Sequence, residues 1–180
     1  ATGAFIEACL GRNLLPDEQQ RFEQLWQLLA AANQTTNLTR IKSPHDYWIR
    51  HLCDSLALAR VERIGWERER RVVDVGCGAG FPLLPLAIVR PNWQLTGVES
   101  KQRKAAFVES AAKALGLVNC RALARRAREA ARLPAIRHQF DLVVARAVSG
   151  TAELIRECRA LLREDPSSAM VLYKTPDAVQ

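Results

Sequence analysis

A doubly wound, mostly parallel α/β sheet with helices ahead of it is the fold class that this 180-residue sequence predicts. Two observations carry the prediction. The run Val72-Val73-Asp74-Val75-Gly76-Cys77-Gly78-Ala79-Gly80-Phe81-Pro82 is a β-branched stretch that closes on three glycines at alternate positions and then turns helical. Valine packs well on a pleated surface, and alternate glycines let the backbone reverse tightly and come close to a ligand. From Arg71 onward strand-like and helix-like segments alternate, which implies parallel strands joined by helices on both faces of a sheet.

Residues 1–65 read as a helical segment packed on that core, and residues 66–180 as one compact unit. Thr2 to Leu10 predicts a short helix ended by Gly11. Pro16-Asp17-Glu18 opens a longer one, in which Phe22, Leu25, Trp26 and Leu29 share a face. Asn33-Gln34-Thr35-Thr36-Asn37-Leu38-Thr39 predicts a loop, because these side chains bond their own backbone. Ser43-Pro44-His45-Asp46 has the form of a capping residue, a first-position proline and a first-turn acid, and opens a helix carrying Tyr47, Trp48, His51, Leu52, Asp54, Ser55 and Leu58.

After the glycines, Pro82 starts a helix that Pro91 stops, and Trp93 to Glu99 is the next strand. Ser100 caps a helix running to Leu115, with Gly116 just past its end, and Val118 to Ala124 is the third strand. Phe140 to Arg146 is the fourth strand, Thr151 to Leu162 a helix, and Ala169 to Lys174 the fifth strand. Ligands in such sheets bind at the carboxyl ends of the strands, where Gly76, Glu99, Arg146 and Lys174 fall.

A glycine turn after a strand suits NAD and FAD as well as other adenosine ligands. Gly76, Gly78 and Gly80, however, lack the two-residue gap that separates the later glycines of the dinucleotide fingerprint. Asp74, ahead of the glycines, would repel a pyrophosphate and welcome an ammonium group. Glu99 stands about 20 residues further on, where an acid holds ribose hydroxyls. Ribose recognition, no phosphate site and a carboxylate near an amine together indicate S-adenosylmethionine.

Net charge is +7, and its placement matters more than its size. Between Lys101 and Arg137 there are ten bases against two acids, so the whole excess lies in one stretch, as a polyanion-binding face requires. The five cysteines form no Cys-x-x-Cys pair and the three histidines have no helical ligand spacing, so neither a disulfide framework nor a metal site is expected. No apolar run of membrane-spanning length and no signal segment is present in the sequence, and a cytoplasmic monomer is the expectation.

Asn37-Leu38-Thr39 with Ile41, His51-Leu52-Cys53-Asp54-Ser55-Leu56, the glycine run from Asp74 to Pro82, Arg126-Ala127, Arg146-Ala147 and Lys174 stand in the order found in the RsmG family, formerly GidB, which this chain resembles. The resemblance implies a class I, Rossmann-like methyltransferase that methylates N7 of a guanine in bacterial 16S rRNA with S-adenosyl-L-methionine, alone or within the small ribosomal subunit. It implies that Gly76, Gly78, Gly80 and Phe81 line the cofactor, that Glu99 takes the ribose, that Ala127 and Arg128 flank the adenine, and that Arg146 closes the site. Arg146, Lys174, His51 and Asp54 would form the catalytic group, and Arg125, Arg126 and Lys174 would meet the RNA. No acid-base residue is required, since guanine N7 carries a free lone pair. The chain carries Leu83, Arg125, Arg128 and Thr175 where the family often has other residues, and is expected to lack the family's closing strands. Two other readings remain open at this level: a class I methyltransferase for a different substrate, and an RNA-binding or assembly protein with the fold but no turnover.

Overall fold

The computed structural model describes residues 3–146 and 151–173. Five strands form one parallel sheet: β1 (Arg71–Val75), β2 (Gln94–Glu99), β3 (Cys120–Ala124), β4 (Leu142–Arg146) and β5 (Ala169–Tyr173), in the order β3-β2-β1-β4-β5. Val73 of the central strand lies opposite Thr96 on one side and Val143 on the other. The chain winds outward from β1 to β3 and then returns to β4, so the order reverses beside β1, where such sheets open a crevice.

Both faces of the sheet are covered at its centre, which is why β1 and β4 are largely apolar runs rather than alternating ones. Val72, Leu95, Leu142 and Val144 belong to one core, with helices α5 (Leu83–Val89) and α6 (Gln102–Ala114). Val73, Val75, Val98, Val143 and Ala145 belong to the other, with α7 (Ala127–Ala130) and α8 (Thr151–Arg159). The doubly wound architecture expected from the sequence is therefore present, with helices on both faces.

The N-terminal helices α1 (Gly3–Leu10) and α2 (Pro16–Thr36) join the first core. Phe22, Leu25 and Leu29 are fully buried, and the Tyr47 hydroxyl donates to the Phe22 carbonyl at 2.8 Å. Next comes an irregular helical stretch: α3 (Pro44–Asp46), a π-helical turn over Tyr47–Cys53, α4 (Asp54–Leu56), and two 3-10 turns, Ala57–Arg60 and Glu62–Ile64. Ser43 caps it as its sequence predicts, its hydroxyl accepting the Asp46 N–H at 3.1 Å.

Several local expectations are corrected. Residues 33–36 are helical, because the Asn33 side chain both donates to the Thr39 carbonyl and accepts from the Thr39 N–H, tying the helix end to the loop beyond it. Ser100 does not cap α6; the Glu99 carboxylate takes the Lys101 N–H instead, at 2.8 Å. Val118 lies outside β3 and is fully exposed, and Phe140 makes only an isolated bridge, to Leu162, ahead of β4.

Candidate functional site

The turn after β1 is built by backbone that only glycine adopts easily. Gly76, Gly78 and Gly80 have φ of 73°, 56° and 89°. The Gly76 and Cys77 N–H groups both donate to the Val98 carbonyl of β2, at 2.7 and 3.3 Å, and fix the turn to the sheet. Glu99 holds its other side: Oε2 accepts the Gly78 N–H at 2.9 Å while Oε1 accepts that of Lys101 at 2.8 Å. Oε1 also accepts the Ser100 hydroxyl at 3.5 Å, so Oε2 is the oxygen that retains a lone pair for a ligand hydroxyl. Sequence reasoning missed Gly97, where a Cβ would stand 2.7 Å from Cys77 Sγ and 2.8 Å from Leu83 Cδ2; the signal was a glycine inside a strand.

Asp74, expected to face an ammonium group, lies beneath the turn with no exposed surface. Its Oδ2 accepts the Leu83 N–H at the start of α5, at 3.2 Å, and its Oδ1 is buried without a partner. Burial pushes this carboxyl up to about 7, against the opposing pull of Arg146. Val75 separates Asp74 from the glycines and points to the opposite face, which is why the acid sits under α5 rather than in the mouth of the turn.

Beside Gly76 opens a cavity of about 400 Å³. Val75, Val98 and Leu154 are its apolar lining, and Arg125, Arg126 and Arg128, with Ala127 between them, face Glu153 and Glu157 of α8 among its charged lining. The Glu129 carboxylate accepts the Arg126 N–H at 3.2 Å, which starts α7 and sets the direction of this arginine rim. The cavity thus gathers three of the expected cofactor residues, Gly76, Ala127 and Arg128, with two of the expected RNA residues, Arg125 and Arg126. Phe81 and Arg146 are not on its walls.

Phe81, His51, Asp54 and Arg146 meet instead in a second cluster, at the end of β4. Arg146 Nη1 donates to Asp54 Oδ2 at 3.0 Å and to the Arg50 carbonyl at 3.2 Å, and Nη2 lies 3.2 Å from His51 Nδ1. A guanidinium cannot accept, so His51 Nδ1 is the acceptor and its proton resides on Nε2, which donates to the Thr39 hydroxyl at 3.0 Å. The imidazole stacks on Phe81, with ring centres 4.1 Å apart and planes 9° apart. Burial, then the charge of Arg146, lowers His51 to about 3, so it stays neutral at physiological pH. Thr39 completes this chain and was legible only as part of a motif. Tyr173, unmarked in the sequence, ties the end of β5 to the Ser55 carbonyl at 3.1 Å. Lys174, Ala147 and Thr175 lie outside the described residues.

His51 and Asp74 oppose one another in acid. The folded-state value of His51 lies below its ordinary 6.5, so its contribution to stability is complete above pH 6.5 and is lost as pH falls towards 3. The folded-state value of Asp74 lies above its ordinary 3.8, so its contribution is complete below pH 3.8 and is lost as pH rises towards 7. Between pH 4 and 6.5, Asp74→Asn should therefore show a Tm that climbs with pH more steeply than wild type, and His51→Gln a Tm that falls with pH. Thermal melts across that range check this, and slopes of the same sign in both variants would count against it.

Residues 18–178 match the model of a family described as GidB, rRNA small subunit methyltransferase G. Among curated relatives, a ribosomal RNA small subunit methyltransferase G of Trichormus variabilis is 42% identical over 147 residues, covering 78% of this chain and 58% of the relative. One of Gloeobacter violaceus is 44% identical over 137 residues, covering 74% and 53%. This chain therefore spans between half and three-fifths of the length of these two relatives. A solved S-adenosylmethionine-dependent methyltransferase of Aquifex aeolicus superposes with a TM-score of 0.55 at 17% identity, over 71% of this chain and 66% of that one, a likeness of fold.

Proposed function

The chain belongs to the rRNA small subunit methyltransferase G family, and from that footing we propose that it methylates N7 of a guanine in 16S rRNA with S-adenosylmethionine. One observation carries the reading beyond the family: a cavity of about 400 Å³ beside the glycine turn brings an apolar lining together with Arg125, Arg126 and Arg128. The adjoining residues fit the cofactor. At the edge of the glycine turn, Oε2 of Glu99 offers a lone pair to a ribose hydroxyl. Gly76, Gly78, Gly80 and Phe81 would line the bound ligand, Ala127 and Arg128 would flank the adenine, and Arg146 would close the site.

When bound, the cofactor supplies a methyl group on a sulfonium, already a good leaving group. Guanine N7 presents a free lone pair, so no residue has to remove a proton before transfer. The chain's part is then to orient and desolvate. Arg146, held by Asp54, the Arg50 carbonyl and His51, is fixed in direction, and with Lys174 it would meet the guanine O6 where charge develops. His51, neutral and with both ring nitrogens engaged, acts as a positioning residue for Arg146, and Asp54 acts in the same way. Arg125 and Arg126 would bear the RNA backbone beside the cofactor.

The reading places the chain in the cytoplasm as a monomer, working on 16S rRNA or the small subunit; among the described residues no helix is long and apolar enough to cross a membrane. Incubation with methyl-labelled S-adenosylmethionine and small-subunit rRNA, followed by nucleoside analysis, is expected to yield labelled 7-methylguanosine. Label in a small molecule or protein would favour a different substrate. RNA binding without transfer would favour an assembly role.

A further inference from the structure

A second cavity, of about 630 Å³, lies between the loop after α2 and the first turn of α6, lined by Asn37, Leu38, Thr39, Arg40, Lys42 and Lys104. Three of its six lining residues are cations and none is an acid. Among the described residues, none of the three cationic side chains makes an ion pair or a hydrogen bond. Arg40 and Lys42 are exposed, whereas Lys104 is half-buried. Like charges gathered around one concavity repel each other and draw in an anion.

The loop that carries Arg40 and Lys42 is held in place. Asn33 fastens Thr39 through both its N–H and its carbonyl, and the Thr39 hydroxyl accepts the Ile41 N–H at 3.2 Å. The same hydroxyl takes the proton of His51, whose other nitrogen takes that of Arg146. A rigid set of hydrogen bonds thus connects the cationic cavity to the group assigned to the guanine. The cavity is separate from the Arg125-Arg126 rim and shares no lining residue with it.

We propose that this cavity seats a backbone phosphate of the RNA strand, with Arg40, Lys42 and Lys104 as its ligands and Thr39 as the link to the catalytic cluster. The inference rests on the RNA reading above. It adds a second anchor, so that the strand is held on both sides of the target base and its register is set by two phosphates rather than by one face.

The test is equilibrium binding of a small-subunit rRNA transcript as a function of salt, for wild type, Arg40→Ala/Lys42→Ala/Lys104→Ala, and a control, Arg63→Ala/Arg68→Ala/Arg159→Ala. The control removes the same charge from segments that precede β1 and β5, at the amino ends of the strands, opposite the carboxyl-end crevice. The cavity variant is expected to bind about tenfold more weakly at moderate salt, with the slope of log K against log salt shallower by about 0.7 to 1 for each phosphate that is no longer neutralised. The control should lose much less, and thermal melts should show all three proteins folded. Equal losses in the two variants, or a cavity variant with wild-type affinity and slope, would overturn the phosphate seat alone. Wild type that binds no RNA would overturn the RNA reading and the seat with it.

Discussion

Arg146→Ala is expected to lower methyl transfer to small-subunit rRNA by about 10²- to 10³-fold, the usual loss when one preorganised donor to developing charge is removed. The variant takes away more than a charge. It leaves His51 Nδ1 without a donor and Asp54 without its cation, and it removes the positive charge that opposes the burial shift of Asp74. Arg146→Lys keeps the charge but not the fork that reaches Asp54, the Arg50 carbonyl and His51 together, so its rate should lie nearer to that of alanine than to wild type. Because Arg146 is only partly buried and its ion pair with Asp54 is partly exposed, the fold should survive, with a loss of stability of order 1 kcal/mol. Rate assays beside thermal melts separate the two effects. A folded Arg146→Ala protein with wild-type turnover would remove the residue from the site.

Gly78→Val is expected to abolish binding of S-adenosylmethionine while leaving the chain folded. A Cβ at position 78 would meet nothing nearer than the Gly76 carbonyl, 3.9 Å away, so the side chain would fill open space above the turn. The strain of a β-branched residue at φ +56° costs about 1–2 kcal/mol, which a folded domain can bear. Gly80 is the contrast. A Cβ there would stand 2.5 Å from Leu84 Cδ1 and 3.3 Å from Val108 Cγ2, both on fully buried residues. Gly80→Ala should therefore destabilise by about 2 kcal/mol or more, through overpacking and a positive φ, and lower Tm as well as affinity. Titration and melting of the two variants side by side distinguish a glycine kept for the ligand from one kept for the core. Unchanged affinity in Gly78→Val would contradict the assignment of the turn.

The architecture was legible because each of its signals is local. Buried parallel strands read as dense apolar runs, the glycine turn declares itself, and Ser43 caps where its sequence says. The misses arose where a distant or neighbouring group won a competition that the sequence does not show. Asn33 holds α2 open to Thr36 by reaching across to Thr39, and Glu99 rather than Ser100 takes the first free N–H before α6. In the site, Gly76 and Arg125 to Arg128 lie in the glycine turn and at α7, where their chemistry was readable, whereas Val98 of β2 and Leu154 of α8 join the cavity only through the fold. The pairing of His51 with Arg146 spans 95 positions. No periodicity reveals such a pair, and only the resemblance of the motifs marked both partners. The burial of Asp74 was hidden too, since which face a strand residue takes depends on what covers the sheet.

The rest depends on the crevice at the carboxyl ends of β1 and β2 being an adenosyl site. Calorimetric titration of the chain with S-adenosylmethionine, S-adenosylhomocysteine and NAD tests that most directly. The account predicts micromolar binding of both adenosyl ligands at one site and none of NAD, since Gly76, Gly78 and Gly80 lack the spacing of a pyrophosphate-binding turn. A folded chain that bound NAD, or bound neither adenosyl ligand, would contradict it.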